Sequence, residues 1–259
     1  MKSTASAVAL AALPALTRAT KCLVSSEALQ ERINLEDLLA GSQKLQDFAD
    51  ANGGNRVFGS GGHNATVDWL VESLEATGYY DVVKQPFTEL FSAGTADISV
   101  DGEPLESNIM TYTPAGSGTG LLVKAANVGC TAEDYPAETE GNIAFIQRGT
   151  CPFSEKSVAA RAAGAIGAIV YNNVPGPISG TLGTPYLDYA PTVGISQEDA
   201  APILEALEAG DVTVDFDVEA TTEDRITYNV IAETKEGDHD NVLILGGHTD
   251  SVDAGPGIK

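Results

Sequence analysis

The sequence predicts an α/β fold in two nested parts. Between residues 120 and 210, apolar runs of strand length alternate with helix-length segments, the pattern of a sheet whose strands are joined through helices. Segments of extended type precede and follow this block, so it reads as an insert within a larger domain. The composition fits a globular chain, with 43% hydrophobic and only 20% charged residues among 259, enough for one large or two ordinary domains.

Taken in order, residues 33–50 place Leu35, Leu38, Leu39, Leu45, Phe48 and Ala49 on one helical stripe. A second helix follows from Val67, Leu70, Val71 and Leu74 at i, i+3, i+4 and i+7, with Gly78 as its stop. Asn64 is placed as its cap, at an exposed helix end. Between the two lies the glycine-rich loop "NGGNRVFGSGGH". "DVVKQPFTEL" is extended, and "ADISVDG" and "NIMTYTP" are short strands. "PAGSGTG" (114–120) reads as a boundary, since Gly, Ser and Pro accumulate there and hydrophobic periodicity lapses.

Past that boundary, "LLVKAANVG" and "NIAFIQRG" are strands, and Ser154 opens a short helix that ends at Gly164. "AIGAIVYNN" and "APTVGIS" are buried strands. Ser196 and Asp199 form a capping box ahead of Ile203, Leu204 and Leu207, with Gly210 as stop and Pro202 disturbing the first turn. "DVTVDFDVEA" alternates at period two, and "RITYNVIAET" and "NVLILGGHTD" are two further strands joined by the acidic turn "KEGDHD". The expected division is a signal peptide at 1–19, a first part at 20–114, the insert at 115–218 and a return to the first part at 219–259.

A net charge of −23, from 14 basic and 37 acidic residues, repels phosphate backbones and anionic lipid. Neither nucleic acid nor membrane is expected as a partner, and the oligomeric state is left open. The N-terminus has Lys2, an apolar run from Ala5 to Leu16 and small residues up to Ala19, a signal peptide in outline and too short to span a bilayer. The expected destination is therefore extracellular or vacuolar, through the secretory pathway. That setting favours a Cys130–Cys151 disulfide, which would close a loop of about 20 residues and contribute on the order of 3 kcal/mol. Cys22 is left over. Asn64-Ala65-Thr66 is a glycosylation sequon, plausible in a secreted chain.

The candidate chemistry lies in residues 241–259, "NVLILGGHTDSVDAGPGIK". His248 follows an apolar run and two glycines, at the strand edge where ligands bind in open α/β sheets. A neutral imidazole there can ligate a metal, and Asp250 two residues on can orient the ring. On spacing alone a structural histidine remains the competing reading. His239 reads as a solvated turn residue and His63 as a loop or helix-start residue. There is no Gly-x-Ser-x-Gly nucleophile elbow, and "GSGGHN" lacks the preceding strand and following lysine of a phosphate loop.

"NVLILGGHTDSVDAGPGI" resembles the first metal-ligand segment of the zinc aminopeptidases related to the fungal and yeast aminopeptidase Y group. "GNIAFIQRGTCPFSEKSVAARAAGAIGAIVYNN" is similar to the protease-associated domain that such enzymes carry, and "GSGGHNATVDWLVESLEATGYY" to the helix that precedes it. The resemblance implies an incomplete zinc-aminopeptidase α/β sandwich with an inserted protease-associated α/β domain. It implies His248 as a ligand in a two-zinc site, Asp250 as the acid that orients a ligand and tunes the metals, and peptides as substrates, shortened from their N-termini. The insert would be a binding or shielding module with Cys130–Cys151 as its staple.

In that family the turn continues Gly-Pro-Gly-Ile-Asn-Asp-Asp, whereas here "GPGI" is followed by Lys259. The bridging Asp, the general-base Glu and the last His ligand are not in this sequence, so the chain is expected to be inactive by itself. It reads as a truncated product or as a genuine short protein. The competing function is a secreted, non-catalytic module that binds peptide through the insert; a third, an intracellular scaffold, requires free thiols.

Overall fold

The structure, a computed structural model, describes residues 25–185 and 187–258. The signal-peptide expectation at 1–19 and Cys22 lie outside the described residues. The chain forms two compact units, one running to Asp68 and resuming at Leu243, the other Trp69–Val242. Of the boundaries expected at 114/115 and 218/219, the first falls just ahead of a strand that begins at Gly116 and the second lies inside the long strand Thr213–Thr234.

In the first unit, α1 (Ser26–Gln30) is followed by α2 (Leu35–Asp50). The Asn34 side chain caps α2 by accepting from the Asp37 N–H at 2.9 Å, and Glu36 and Asp37 place negative charge at the positive end of the helix. The anticipated stripe forms, but Ala49 is the one residue of α2 that is buried, while Leu35, Leu38 and Leu39 stay exposed. The helix α3 (Gly61–Ala76) begins four residues earlier than expected. Ser60 is its cap, accepting from the His63 N–H at 3.2 Å, because Gly61 and Gly62 already continue the helix. Asn64 is therefore inside the first turn rather than at an exposed end. Its Oδ1 is buried without a partner, and the Thr66 hydroxyl is turned inward onto the Gly62 carbonyl at 2.9 Å.

The second unit is built on an eight-stranded sheet. β1 (Tyr80–Val100) pairs antiparallel with β8 (Thr213–Thr234) without interruption from Tyr80↔Thr234 to Val100↔Val214. The sequence suggested several short strands here, because Pro86 and Gly94 break the apolar pattern of one and the polar run at 220–225 breaks that of the other. Backbone hydrogen bonds do not need side-chain alternation, and the ladder runs through. Asp101 and Gly102, at φ 50° and 84°, make the tight turn into β2 (Glu103–Pro104). β3 (Asn108–Ile109), β4 (Gly116–Lys124), β5 (Ile143–Gln147), β6 (Gly167–Tyr171) and β7 (Thr192–Ile195) complete the order β2-β1-β8-β4-β5-β6-β7-β3. β4 to β7 are parallel to one another.

The stretch read as a linker, "PAGSGTG", is largely the first half of β4. Its glycines are there because neighbours leave no room for a side chain: a Cβ on Gly116 would lie 2.5 Å from Pro191 Cγ, and one on Gly118 would lie 2.8 Å from Ile166 Cδ1. Two helices, α4 (Phe153–Ala162) and α5 (Gln197–Ala209), cover opposite faces of the parallel strands. Strand alternation sends Ile143, Phe145, Ile169 and Tyr171 into the core beneath α5, and Ala144, Ile146, Ala168 and Val170 into the core on the α4 side. Each large apolar side chain fully buried there contributes about 1.5–3 kcal/mol. Pro202 sits inside α5 without ending it.

Cys130 and Cys151 are disulfide-bonded, their Cα atoms 5.9 Å apart. Beside them the fully buried Lys156 donates from Nζ to the Val128 carbonyl, and the Tyr135 hydroxyl lies 2.9 Å from Gly129 O and 3.0 Å from Lys156 O. Disulfide, lysine and tyrosine together fix the loop that links β4 to β5.

"NVLIL" corrects the sequence reading. Residues 242–250 form no strand, and Leu243, Ile244 and Leu245 are 84–87% exposed. A strand exists through its neighbour's hydrogen bonds, and no described segment pairs with this one.

Candidate functional site

His248 and Asp250 are brought together as the spacing anticipated, although on an extended segment rather than at a strand end. The imidazole Nδ1 lies 3.1 Å from both the carbonyl oxygen and Oδ1 of Asp250. A ring that donates from Nδ1 to this acid presents a lone pair at Nε2, and the His248 side chain is 85% exposed, so that nitrogen faces outward.

The residues that hold this segment in place escaped sequence reasoning. Arg56, 3% exposed, donates from Nη1 to Thr249 O at 2.5 Å and from Nε and Nη2 to Pro256 O at 3.2 and 3.0 Å. Its backbone N–H donates to Ser251 Oγ at 2.8 Å, and the Ser251 N–H returns to Arg56 O at 3.0 Å. Asn55 Nδ2 reaches Asp253 Oδ1 at 3.1 Å. The turn 249–257 is thus folded around one guanidinium, whose planar fork can satisfy two carbonyls at once. The signal available was an arginine in the middle of a glycine-rich loop in a strongly acidic chain.

His63 also differs from its reading as an ordinary loop residue. It is buried in the first turn of α3, with Nε2 3.0 Å from Thr249 Oγ1. Burial holds its pKa below the ordinary imidazole value; the Asp250 carboxylate works against that shift and Arg56 adds to it. His239 is the solvated turn residue expected, 2.6 Å from Glu233 Oε1, an acid that raises its pKa.

The fit to a metal is partial. Among the described residues no group of three His, Cys, Asp or Glu side chains converges as a metal site. A catalytic zinc needs about three protein ligands, and this segment supplies one imidazole with an orienting carboxylate.

Comparison with known proteins gives this segment its context. Residues 118–203 match the model of the PA domain. The chain is 54% identical over 241 residues to leucine aminopeptidase 2 of Arthroderma otae, a match covering 92% of this chain and 49% of the relative. Over most of its length the chain is therefore similar to aminopeptidases, and it contains a PA domain. An aminopeptidase from Aneurinibacillus sp. strain AM-1 superposes with a TM-score of 0.71 at 28% identity, over 90% of this chain and 57% of that one. A zinc aminopeptidase from Bacillus subtilis does so at 0.52 and 25%, over 74% and 46%. The chain spans about half the length of the curated relatives it matches. The PA-domain match spans the parallel strands β4 to β7 with α4 and the first half of α5, and the wrapped turn around Arg56 lies outside it.

Proposed function

We propose that this chain serves a zinc aminopeptidase, which removes N-terminal residues from peptides, and that it contributes His248 as a metal ligand with Asp250 as the acid that orients it. The observation that carries this reading is the 3.1 Å contact between His248 Nδ1 and Asp250 Oδ1, which leaves Nε2 outward on a turn clamped by Arg56. In the complete site, zinc would supply Lewis-acid polarisation of the scissile carbonyl and an activated water. This chain's own residues do three things toward that end. Asp250 sets the tautomer and direction of the His248 ring. Arg56 fixes the carbonyls on either side of the turn, at Thr249 and Pro256. His63 braces Thr249 from α3 through its hydroxyl.

With one imidazole where about three ligands are needed, the chain alone should neither hold zinc stoichiometrically nor hydrolyse peptide. Secretion or vacuolar delivery, glycosylation at Asn64 and a two-ion site are parts of the same proposal. The experiment is metal analysis of the purified chain after zinc loading and dialysis, together with leucine-amide hydrolysis. Less than one zinc per chain and no hydrolysis are expected; turnover by the isolated chain would contradict the reading. A second reading, a peptide-binding module, is favoured by the complete double core of the PA domain.

A further inference from the structure

The joint between α2 and α3 holds a reactive pair that neither the metal-ligand turn nor the PA domain uses. Asn52 is followed by Gly53, whereas every other asparagine of the chain is followed by a residue that carries a side chain. A side chain there crowds the approach of the next backbone nitrogen to the asparagine amide carbon, and glycine has none. Asn52, Gly53 and Gly54 are all exposed, and a Cβ on either glycine would meet nothing within 4 Å. Both glycines have positive φ, 82° and 86°.

The nitrogen is also free. The N–H groups of Ala51, Asn52 and Gly54 donate to carbonyls in the last turn of α2, at 3.1, 2.9 and 2.8 Å. Between them, the Gly53 N–H donates to no described residue. No backbone bond has to break before this nitrogen can turn onto the Asn52 side chain. The side-chain amide has one hydrogen bond, from Nδ2 to Phe48 O at 2.8 Å. Its Oδ1 faces the start of α3, where a Cβ on Gly61 would lie 2.2 Å from it. Asn52 thus satisfies a carbonyl at the end of α2 while abutting the first residue of α3.

We propose that Asn52–Gly53 is a site of self-modification, which converts the amide to aspartate and isoaspartate and slackens the joint that presents Arg56. Gly53 N, its proton taken by solvent base, attacks Asn52 Cγ. The new C–N bond closes a five-membered succinimide, the bond from Cγ to Nδ2 breaks, and ammonia leaves after taking a proton from water. Water then adds to one of the two ring carbonyls. Opening at Cγ gives aspartate, and opening at the main-chain carbonyl gives isoaspartate. The sum is one water consumed and one ammonia released, with no oxidant or reductant. In the aspartyl product, a carboxylate replaces the donor to Phe48 O and sets negative charge at the negative end of α2. The isoaspartyl product also lengthens the main chain by one methylene, four residues ahead of Arg56. This chemistry is independent of both the peptidase and the binding-module readings.

The test incubates the whole chain in ¹⁸O-water at neutral and at mildly acidic pH, beside the free peptide DANGGNR (residues 50–56), and maps the products by mass spectrometry. Labelled aspartate and isoaspartate are expected at Asn52 ahead of every other asparagine. The reaction should run faster at neutral pH, because the attacking nitrogen must lose its proton. The Asn52→Gln chain should gain no negative charge over the same period. The isoaspartyl fraction, separated by anion exchange, should lose several-fold of its hydrogen-exchange protection at the Ser251 N–H, which donates to Arg56 O, with the β5 and β6 amides unchanged. A folded chain that stays intact while the peptide converts overturns the proposal, since the fold would then shield the site. Earlier conversion at another asparagine overturns it too, and unchanged Ser251 protection overturns the slackened joint.

Discussion

Arg56 Nη1 and the Thr249 carbonyl, 193 positions apart in sequence, are joined by a hydrogen bond of 2.5 Å, and this contact sets the turn that carries His248. A buried guanidinium is expensive to desolvate, and here two backbone carbonyls and the nearby Asp250 carboxylate offset that cost. The turn therefore depends on one side chain more than on any apolar packing.

Replacing Arg56 by Ala leaves the Thr249 and Pro256 carbonyls without their donors. Charged hydrogen bonds of this kind are each worth about 1.5–3 kcal/mol, so the turn should open locally by roughly that amount or more. The Ser251 N–H, which donates to Arg56 O, reports this directly. Its hydrogen-exchange protection should fall by at least about ten-fold in R56A while that of the β5 and β6 amides is unchanged.

His63 gives the first unit a pH dependence of definite sign. Its folded-state pKa lies below the ordinary 6.5 chiefly because it is buried. The unfolded chain therefore takes up a proton before the folded one does, and stability rises with pH between the two values. The full contribution is present above about pH 6.5 and is lost as pH falls toward the folded value. Urea unfolding followed from pH 7 to 5 should show a steeper loss for the wild type than for H63Q, which keeps a polar group near Thr249 without titrating. Equal slopes would contradict this account of His63.

The glycines of β4 make a steric prediction. Gly116→Ala places a methyl against the Pro191 ring, which the backbone holds in place, and should cost about 1–3 kcal/mol in thermal or urea unfolding. A variant as stable as the wild type would mean that Pro191 yields freely.

The Cys130–Cys151 bond closes a 21-residue separation. Its removal as a double Cys→Ser variant should lower stability by about 3 kcal/mol in the chain-entropy model. The loss should be concentrated in the β4–β5 loop, where Lys156 and Tyr135 would have to hold the fold alone, and exchange at the Cys130 and Thr131 amides would show it.

The parts legible in sequence were those fixed by local pattern. The insert's strands at Ile143–Gln147, Gly167–Tyr171 and Thr192–Ile195 and the Ser196 cap of α5 follow from apolar runs and capping chemistry. The long β1–β8 ladder was illegible because Pro86, Gly94 and the polar run near Thr222 erase a pattern that backbone pairing does not require. Gly116 and Gly118 looked like a linker because close approach and chain flexibility call for the same residue. "NVLIL" has a strand's composition and no described partner, so sequence overstated it. The His248–Asp250 pair was legible from spacing, whereas Arg56 was not, because nothing local to residue 56 announces contacts with residues 249–256.

The central claim is that His248, oriented by Asp250, ligates a catalytic zinc, and the most direct measurement is zinc-dependent leucine release by the longest product of the gene. The account predicts that hydrolysis is abolished by chelation and restored by zinc. It also predicts that His248→Ala abolishes turnover at an unchanged thermal midpoint, and that Asp250→Ala lowers it by about 10–100-fold. Full activity in the folded His248→Ala protein, or the absence of any zinc-dependent hydrolysis, would contradict it.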